Sequence, residues 1–250
     1  MHGTVAARPL VTLHPFLGLA NVFPSLTRNR QLIAVEAQGH GRTADIDRPF
    51  TSEQEAEDVV ALLKQLQIDR ADFFGESYSG ITAVLIALRY PELVRRVVTY
   101  GSPFGTLEES YHRESLEQLM TLTPDHRSVQ YQRECYQRVA ADPTQWATLF
   151  AKSTRRQWRG FSREELKSIK APVLIATGDH DVLGARLEHL LETYRLIPNA
   201  QFAVVPGAGH FVLNDDPEKL LPIIATFLDE SDSRIPFATT LSGYHPGETR

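Results

Sequence analysis

One serine in this 250-residue sequence has the surroundings of a nucleophile. Ser77 lies in the segment GESYSG (residues 75–80), which follows a short apolar run and precedes a nearly continuous apolar stretch. A serine on a tight turn between a strand and a helix fits the G-x-S-x-G pattern of a nucleophile elbow. Small neighbours such as Gly75 let the helix begin close to the sheet, so that the hydroxyl points outward. The pattern predicts that Ser77 attacks a carbonyl carbon.

The elbow motif departs from its usual form at one position. The residue two after the nucleophile is usually glycine, but here it is Ser79, followed by Gly80. Serine is small enough to fit, so we interpret the segment as a variant of the motif. The alternative is an ordinary Gly/Ser turn, since short motifs also occur by chance.

Two further segments supply the partners that a serine nucleophile needs. Asp181 follows the apolar run VLIAT, with Asp179 as a second carboxylate in the same loop, and His210 follows the run FAVV and a Pro-Gly-Ala-Gly loop. Each residue therefore comes after the end of a predicted strand, where parallel sheets hold their sites. The chain order Ser, Asp, His is one order of a catalytic triad. We predict His210 as the base and Asp181, further out on its loop than Asp179, as the acid that orients it.

The elements that must hold these residues alternate along the chain. Short apolar runs predict strands at residues 10–13, 32–36, 71–74, 97–100, 173–177 and 202–205. Helical patterns lie between them at 53–66, after Thr51, and at 81–93, and a last helix is predicted from Pro217 to about Phe227 with Asp216 as its N-cap. This alternation predicts an α/β fold, a mostly parallel sheet with helices on both faces.

One long stretch interrupts the alternation. Residues 104–165, here the inserted segment, contain no β-rich run and predict several amphipathic helices, which we interpret as a cap over the carboxyl edge of the sheet. The core is then predicted at residues 1–103 and 166–232. Residues 233–250 are polar and rich in turn formers, which predicts a flexible tail.

Composition excludes several classes of function. The net charge is −5, whereas a nucleic-acid-binding protein usually has a basic face. The single cysteine, Cys135, excludes an intramolecular disulfide, and no apolar stretch approaches the ~20 residues of a membrane span. No metal-ligand spacing or phosphate-binding loop is present, so we expect no metal and no cofactor. The cytoplasm is the expected location, and the sequence does not define the oligomeric state.

Further motifs resemble the α/β-hydrolase superfamily across nearly the whole chain. His14-Pro15-Phe16-Leu17-Gly18 resembles its His-Gly-x loop, and residues 36–43 (EAQGHGRT) resemble its Gly-His-Gly-x-Ser/Thr stretch. Residues 169–181 and 209–211 also match. An oxyanion hole needs two N–H donors, of which one is expected from Tyr78, directly after the nucleophile. The resemblance implies that Phe16 supplies the other; Pro15 replaces the usual glycine, but the hole does not use its nitrogen.

Aromatic residues and arginines of the inserted segment are candidates for contacts with substrate. We predict a substrate pocket formed by His14, Tyr111, Trp146, Trp158 and Phe211, although some of these aromatic residues must form the core of the segment itself. The arginines would suit an anionic substrate, but solvated helix faces have the same composition. They are Arg113, Arg127, Arg133, Arg138, Arg155, Arg156, Arg159 and Arg163.

The expected activity is hydrolysis of a carboxylic ester or lactone of a small to medium apolar molecule through an acyl-enzyme. The resemblance leaves open a C–C bond hydrolase, a thioesterase and a cofactor-free haloperoxidase, because the same triad serves all of them. Serine at position 77 disfavours relatives that use an aspartate nucleophile. A ligand receptor on the hydrolase scaffold and an inactive scaffold protein are the alternatives from other classes.

Overall fold

The computed structural model describes residues 8–13, 22–156 and 158–230. His14, Phe16 and the rest of the 14–18 loop lie outside the described residues, as does the predicted tail at 233–250. Within the described ranges all six predicted strands are present, and they pair in parallel in the order β2-β1-β3-β4-β5-β6. Their bounds are β1 Arg8–Leu13, β2 Arg30–Val35, β3 Ala71–Glu76, β4 Val94–Tyr100, β5 Val173–Gly178 and β6 Ala200–Val205. The predicted fold class is confirmed.

Helices cover both faces of the sheet because alternate strand residues are apolar on each face. On one face Val11 and Phe73 pack with α2 (Ser52–Gln65), α3 (Tyr78–Arg89), α8 (Arg163–Ser168) and α9 (Leu187–Leu196). On the other face Leu10 and Phe74 pack with α1 (Phe23–Leu26), α10 (Val212–Asp215) and α11 (Leu221–Asp229). The sheet is thus the middle layer of three.

The helix predictions were correct for α2 and imprecise for the other two. The Thr51 side chain caps α2 by accepting from the Gln54 N–H at 3.1 Å. Helix α3 ends at Arg89 rather than residue 93, because Tyr90 precedes Pro91 and a residue before proline disfavours the helical conformation. Asp216 makes no N-cap hydrogen bond, contrary to the prediction. Its carboxylate pairs with Lys219 at 3.3 Å, a short 3-10 turn follows, and α11 begins only at Leu221.

The inserted segment carries helices α4 (Leu107–Ser110), α5 (Arg113–Met120), α6 (Gln130–Val139) and α7 (Trp146–Thr154), and its last residues begin α8. Tyr136, Trp146, Leu149 and Phe150 form a small aromatic core for the segment, and Phe50 of the β2–α2 loop joins it. Helix α5 has no buried residue. The segment therefore has a core on the α6–α7 side and none along α5.

Two cations of the segment hold α7 against the β2–α2 loop. The Lys152 ammonium lies 5.3 Å from the centroid of the Phe50 ring and donates to Asp45 at 2.6 Å. The Arg156 guanidinium lies 5.4 Å from the same centroid and pairs with Glu55 at 3.1 Å. One aromatic ring contacts two cations, each paired with its own carboxylate, and these cation–π and ionic interactions stabilise the contact. We call these five residues the Phe50 clamp.

No helix within the described ranges is both long enough and apolar enough to cross a membrane.

Candidate active site

Ser77 occupies a sharp turn between β3 and α3. Its φ of 56° and ψ of −130° lie in a region that residues other than glycine rarely adopt. Such a conformation persists only when its surroundings enforce it, and it is common at active sites. The Ser77 N–H donates to the Tyr100 carbonyl of β4 at 2.8 Å, which fixes the turn to the neighbouring strand. The predicted elbow geometry is therefore present.

Close approach around the turn explains its small residues. A Cβ added to Gly75 would lie 2.3 Å from the Ser79 carbonyl oxygen, and one added to Gly80 would lie 2.0 Å from Ser102 Oγ. Ser79, which replaces the usual glycine of the motif, makes hydrogen bonds that support the turn. Its Oγ accepts from the Glu76 N–H at 2.9 Å and contacts the Leu13 carbonyl at the end of β1. The extra hydroxyl thus links the turn to the strand that precedes the 14–18 loop.

The loops after β5 and β6 bring Asp181 to His210. His210 Nδ1 lies 3.0 Å from each carboxylate oxygen of Asp181, whose side chain is fully buried. Asp181 also accepts from the Gly184 N–H at 2.6 Å. Asp179, the other acidic residue of the loop, instead accepts from the Gly207 N–H at 2.6 Å. The structure therefore places Asp181, and not Asp179, at the imidazole.

The surroundings of His210 favour its charged form. Burial lowers the pKa of His210, but the hydrogen bond and charge of Asp181 and the charge of Glu76 outweigh burial, so that the pKa is raised above its ordinary value. An imidazole whose Nδ1 is held by a carboxylate presents Nε2 for proton transfer. The arrangement suits a base that must carry a positive charge for part of a reaction.

Tyr100, which ends β4, and Gly101, which follows it, shape the surroundings of this pair, and neither was predicted from the sequence. Gly101 has a φ of 59°, and a Cβ there would lie 2.6 Å from Asp181 Oδ2 and 3.0 Å from His210 Nδ1. The Tyr100 hydroxyl donates to the Gly209 carbonyl at 2.6 Å and holds the loop before His210. A glycine directly after a buried strand, at the edge where Ser77 was predicted, was the signal that could have identified this position.

Glu76 is a third residue of the site that was not predicted from the sequence. It ends β3, is 2% exposed, and lines the same cavity as Ser77 and His210. Burial raises the pKa of Glu76 to about 7, with Asp181 adding to the rise and the charge of His210 opposing it. Although Glu76 and Ser77 are adjacent in the chain, both line one cavity.

A cavity of about 780 Å³ joins the site to the inserted segment. Ser77, Tyr78 and His210 line it from the core together with Phe211, and Tyr111 and Trp146 line it from the inserted segment; the last three named were predicted pocket residues. The ring of Phe211 lies edge-on to that of His210, with centroids 5.3 Å apart. The remaining lining from α5 and its flanks is mostly apolar and includes Leu116, Leu119, Met120 and Leu122.

Trp158, predicted as a pocket residue, is not among the residues that line this cavity. It packs instead in the main core, with its ring 4.7 Å from that of Phe161 between centroids. The prediction was wrong because Trp158, which lies just before α8, packs against the apolar face of the sheet rather than in the cavity. His14 and Phe16, predicted for the pocket and the oxyanion hole, lie outside the described residues.

Most arginines of the inserted segment are engaged in ion pairs with carboxylates. Five of the eight pair with carboxylates: Arg113, Arg133, Arg156, Arg159 and Arg163. Arg155 is exposed and lies on the cavity lining. Within the described ranges no group of three or more His, Cys, Asp or Glu residues is arranged to hold a metal ion.

The comparisons with known proteins show the family of the chain. A model of the Alpha/beta hydrolase family matches residues 10–223. The chain is similar to 2-hydroxy-6-oxo-2,4-heptadienoate hydrolase of Pseudomonas putida, with 26% identity over 93% of both chains. It is also similar to sn-1-specific diacylglycerol lipase of Mus musculus, with 26% identity over 91% of this chain and 83% of that protein. Among solved structures, the enol-lactonase of Burkholderia xenovorans aligns with a TM-score of 0.69 and 21% identity, covering 91% of this chain and 94% of that one.

Proposed function

The chain belongs to the alpha/beta hydrolase family, and from that premise we propose that it is a serine hydrolase that cleaves a carboxylic ester or lactone through an acyl-enzyme. The observation that carries the proposal is that Ser77, in its positive-φ turn, opens onto the same cavity as the His210–Asp181 pair. A serine hydroxyl and an imidazole oriented by a carboxylate, opening onto one cavity, are the groups that acyl transfer requires.

In the proposed mechanism His210 accepts the Ser77 proton as Oγ attacks the carbonyl carbon. Asp181, which faces Nδ1, fixes the imidazole tautomer and stabilises the imidazolium. The proton then passes to the leaving alcohol, and a water molecule activated by His210 releases the acyl group. The Tyr78 N–H, at the first turn of α3, is one donor to the oxyanion, and the family resemblance assigns the second to Phe16.

The cavity suggests the kind of substrate. Its volume of about 780 Å³ lies within the range of small-molecule sites, and its lining is mostly aliphatic and aromatic. We therefore propose a small to medium apolar ester or lactone, with Tyr111, Trp146 and Phe211 beside its acyl or ring part. In the same proposal the inserted segment is a cap, since its residues and the catalytic ones line one cavity.

Cleavage of a C–C bond is the second candidate. The observation that favours it is the similarity, over 93% of both chains, to a protein named as a dienoate hydrolase. A thioesterase and a cofactor-free haloperoxidase use the same triad, and no contact in the described residues favours either. The fold alone does not choose among these reactions.

Labelling with a fluorophosphonate probe followed by mass spectrometry tests the nucleophile. We expect modification of Ser77 and none in the Ser77→Ala variant, whereas Ser168→Ala, which removes an exposed helix hydroxyl far along the chain, should label as the parent does. Absence of labelling in the parent would support an inactive scaffold and overturn the proposal.

A substrate panel of p-nitrophenyl esters, lactones, thioesters and vinylogous diketones then identifies the reaction. Steady turnover of esters or lactones is the expected result. Turnover confined to the diketones would replace the ester assignment with C–C cleavage. A single slow turnover, together with a ligand-dependent melting shift, would indicate a receptor.

A further inference from the structure

A second carboxylate stands beside the proposed base. Glu76 is the last residue of β3, and the strand register places it next to Tyr100 of β4. Gly101, the residue after Tyr100, lies directly against Asp181 and His210. Glu76 also lines the cavity that Ser77 and His210 share. The ends of β3 and β5 therefore bring two buried carboxylates, Glu76 and Asp181, to one imidazole.

The charges at this point act on one another. Asp181 and Glu76 both favour the charged form of His210, and together they overcome the effect of burial on the pKa of that residue. Asp181 and the imidazolium of His210 act on Glu76 in opposite directions, and burial raises its pKa to about 7. Burial, together with the charges of Asp181, Glu76 and Asp179, raises the pKa of the Tyr100 hydroxyl. The ionisations of Glu76 and His210 are consequently coupled.

We propose that Glu76 is a positioning residue that acts through His210, adding its negative charge to that of Asp181 to stabilise the imidazolium formed when Ser77 loses its proton. This inference rests on the proposed function. The transferred proton moves from Ser77 Oγ to His210 Nε2 and then to the leaving group, so Glu76 forms and breaks no bond in the cycle. Its contribution is electrostatic, at a buried site where charges interact strongly.

The Glu76→Gln variant tests the proposal through the pH dependence of ester hydrolysis. Glutamine keeps the size of the side chain and removes its charge. Without that charge the pKa of His210 falls, so the acid limb of kcat/KM moves to lower pH. The plateau value of kcat falls about tenfold, the equivalent of one pKa unit of lost interaction with the imidazolium. Glu76→Asp, which restores a carboxylate, should return the acid limb towards that of the parent.

A matched control removes a carboxylate elsewhere. Glu57 of α2 is exposed and bonds Arg89 and Tyr90, so Glu57→Gln removes the same charge without reaching His210. Its pH profile should match that of the parent. If the acid limb of Glu76→Gln also superimposes on that of the parent, while the parent is labelled at Ser77, the role of Glu76 is overturned and the proposed function stands. If Ser77 is not labelled, the proposed function fails first.

A measurement on the unaltered protein covers the case in which Glu76→Gln does not fold. The ¹⁵N NMR shifts of the His210 ring, followed from pH 4 to pH 9 or over the range the protein tolerates, should show two inflections, because the nearby Glu76 titrates around neutrality and changes the imidazole shift. A single inflection would overturn the coupling on which the inference depends.

Discussion

Helices α3 and α5 both line the cavity, but they differ in how far they are buried. In α3, nine of twelve residues are buried, and the turn before it leaves no space for a side chain at Gly75. In α5 none of the eight residues is buried, although Leu116, Leu119 and Met120 face the cavity. The nucleophile is thus set by dense packing, while much of the apolar wall for substrate lies on a helix with few contacts. We expect changes near α3 to affect chemistry or folding, and changes in α5 to affect substrate binding.

Removing the nucleophile is the most severe test on the α3 side. Ser77→Ala should lower kcat for ester hydrolysis by a factor on the order of 10⁵–10⁶, as loss of a triad serine does elsewhere. The unfolding midpoint in urea should stay close to that of the parent, because the exchange removes only one hydroxyl. Unchanged turnover by the purified variant would contradict the assignment of Ser77.

Exchanging the orienting acid should have the next largest effect. Asp181→Asn keeps the shape but not the charge that faces His210 Nδ1, and we expect kcat to fall on the order of 10³–10⁴-fold. Asp179→Asn in the same loop is the matched variant. An asparagine oxygen can still accept from the Gly207 N–H, so its activity should change little. Equal losses in the two variants would show that the loop, and not the carboxylate at His210, is what matters.

Adding a side chain at Gly75 should lower the stability of the fold as well as the activity. A Cβ at position 75 would lie 2.3 Å from the Ser79 carbonyl oxygen, which is backbone and cannot move freely. We expect Gly75→Ala to reduce the free energy of unfolding by about 3 kcal/mol, at the upper end for overpacking. Gly209→Ala is the control, since its Cβ would stay 3.9 Å from the His180 carbonyl oxygen. Similar urea midpoints for both variants would contradict the tight fit.

Shortening a side chain of α5 should have the smallest effect, and that effect should be on substrate binding rather than on kcat or stability. Leu119→Ala should raise KM for long-chain esters roughly tenfold through lost apolar contact, with kcat and the urea midpoint nearly unchanged. For an acetate ester the KM should stay close to that of the parent, because a two-carbon acyl group has little apolar surface to lose. A large loss of stability would show instead that α5 belongs to the folded core.

The sheet and the approximate location of the site followed from local patterns in the sequence. Six apolar runs, each followed by turn formers, were sufficient for the strands, and the small residues around Ser77 were sufficient for the turn. The Asp181–His210 contact followed from topology, because carboxyl ends of parallel strands share one edge.

What the sequence did not predict depends on contacts between distant residues. The contact of Gly101 with Asp181 and His210 joins loops after β4, β5 and β6, so a glycine after a strand marks the position in the sequence but not the residues that it contacts. Trp158 was assigned to the pocket because aromaticity does not reveal which of two apolar surfaces a side chain joins. Aspartate is a residue type favoured at N-caps, but the carboxylate of Asp216 pairs with Lys219 instead of capping a helix.

The Phe50 clamp has a consequence for anyone who exchanges segments between relatives. Three of its members, Asp45, Phe50 and Glu55, belong to the β2–α2 region, whereas Lys152 and Arg156 belong to the inserted segment. A chimera that takes residues 104–165 from another hydrolase would discard both cations and leave two acids and a ring without their counterparts. Positions 45, 50 and 55 should therefore be transplanted together with the graft, although they lie some fifty residues before its first junction.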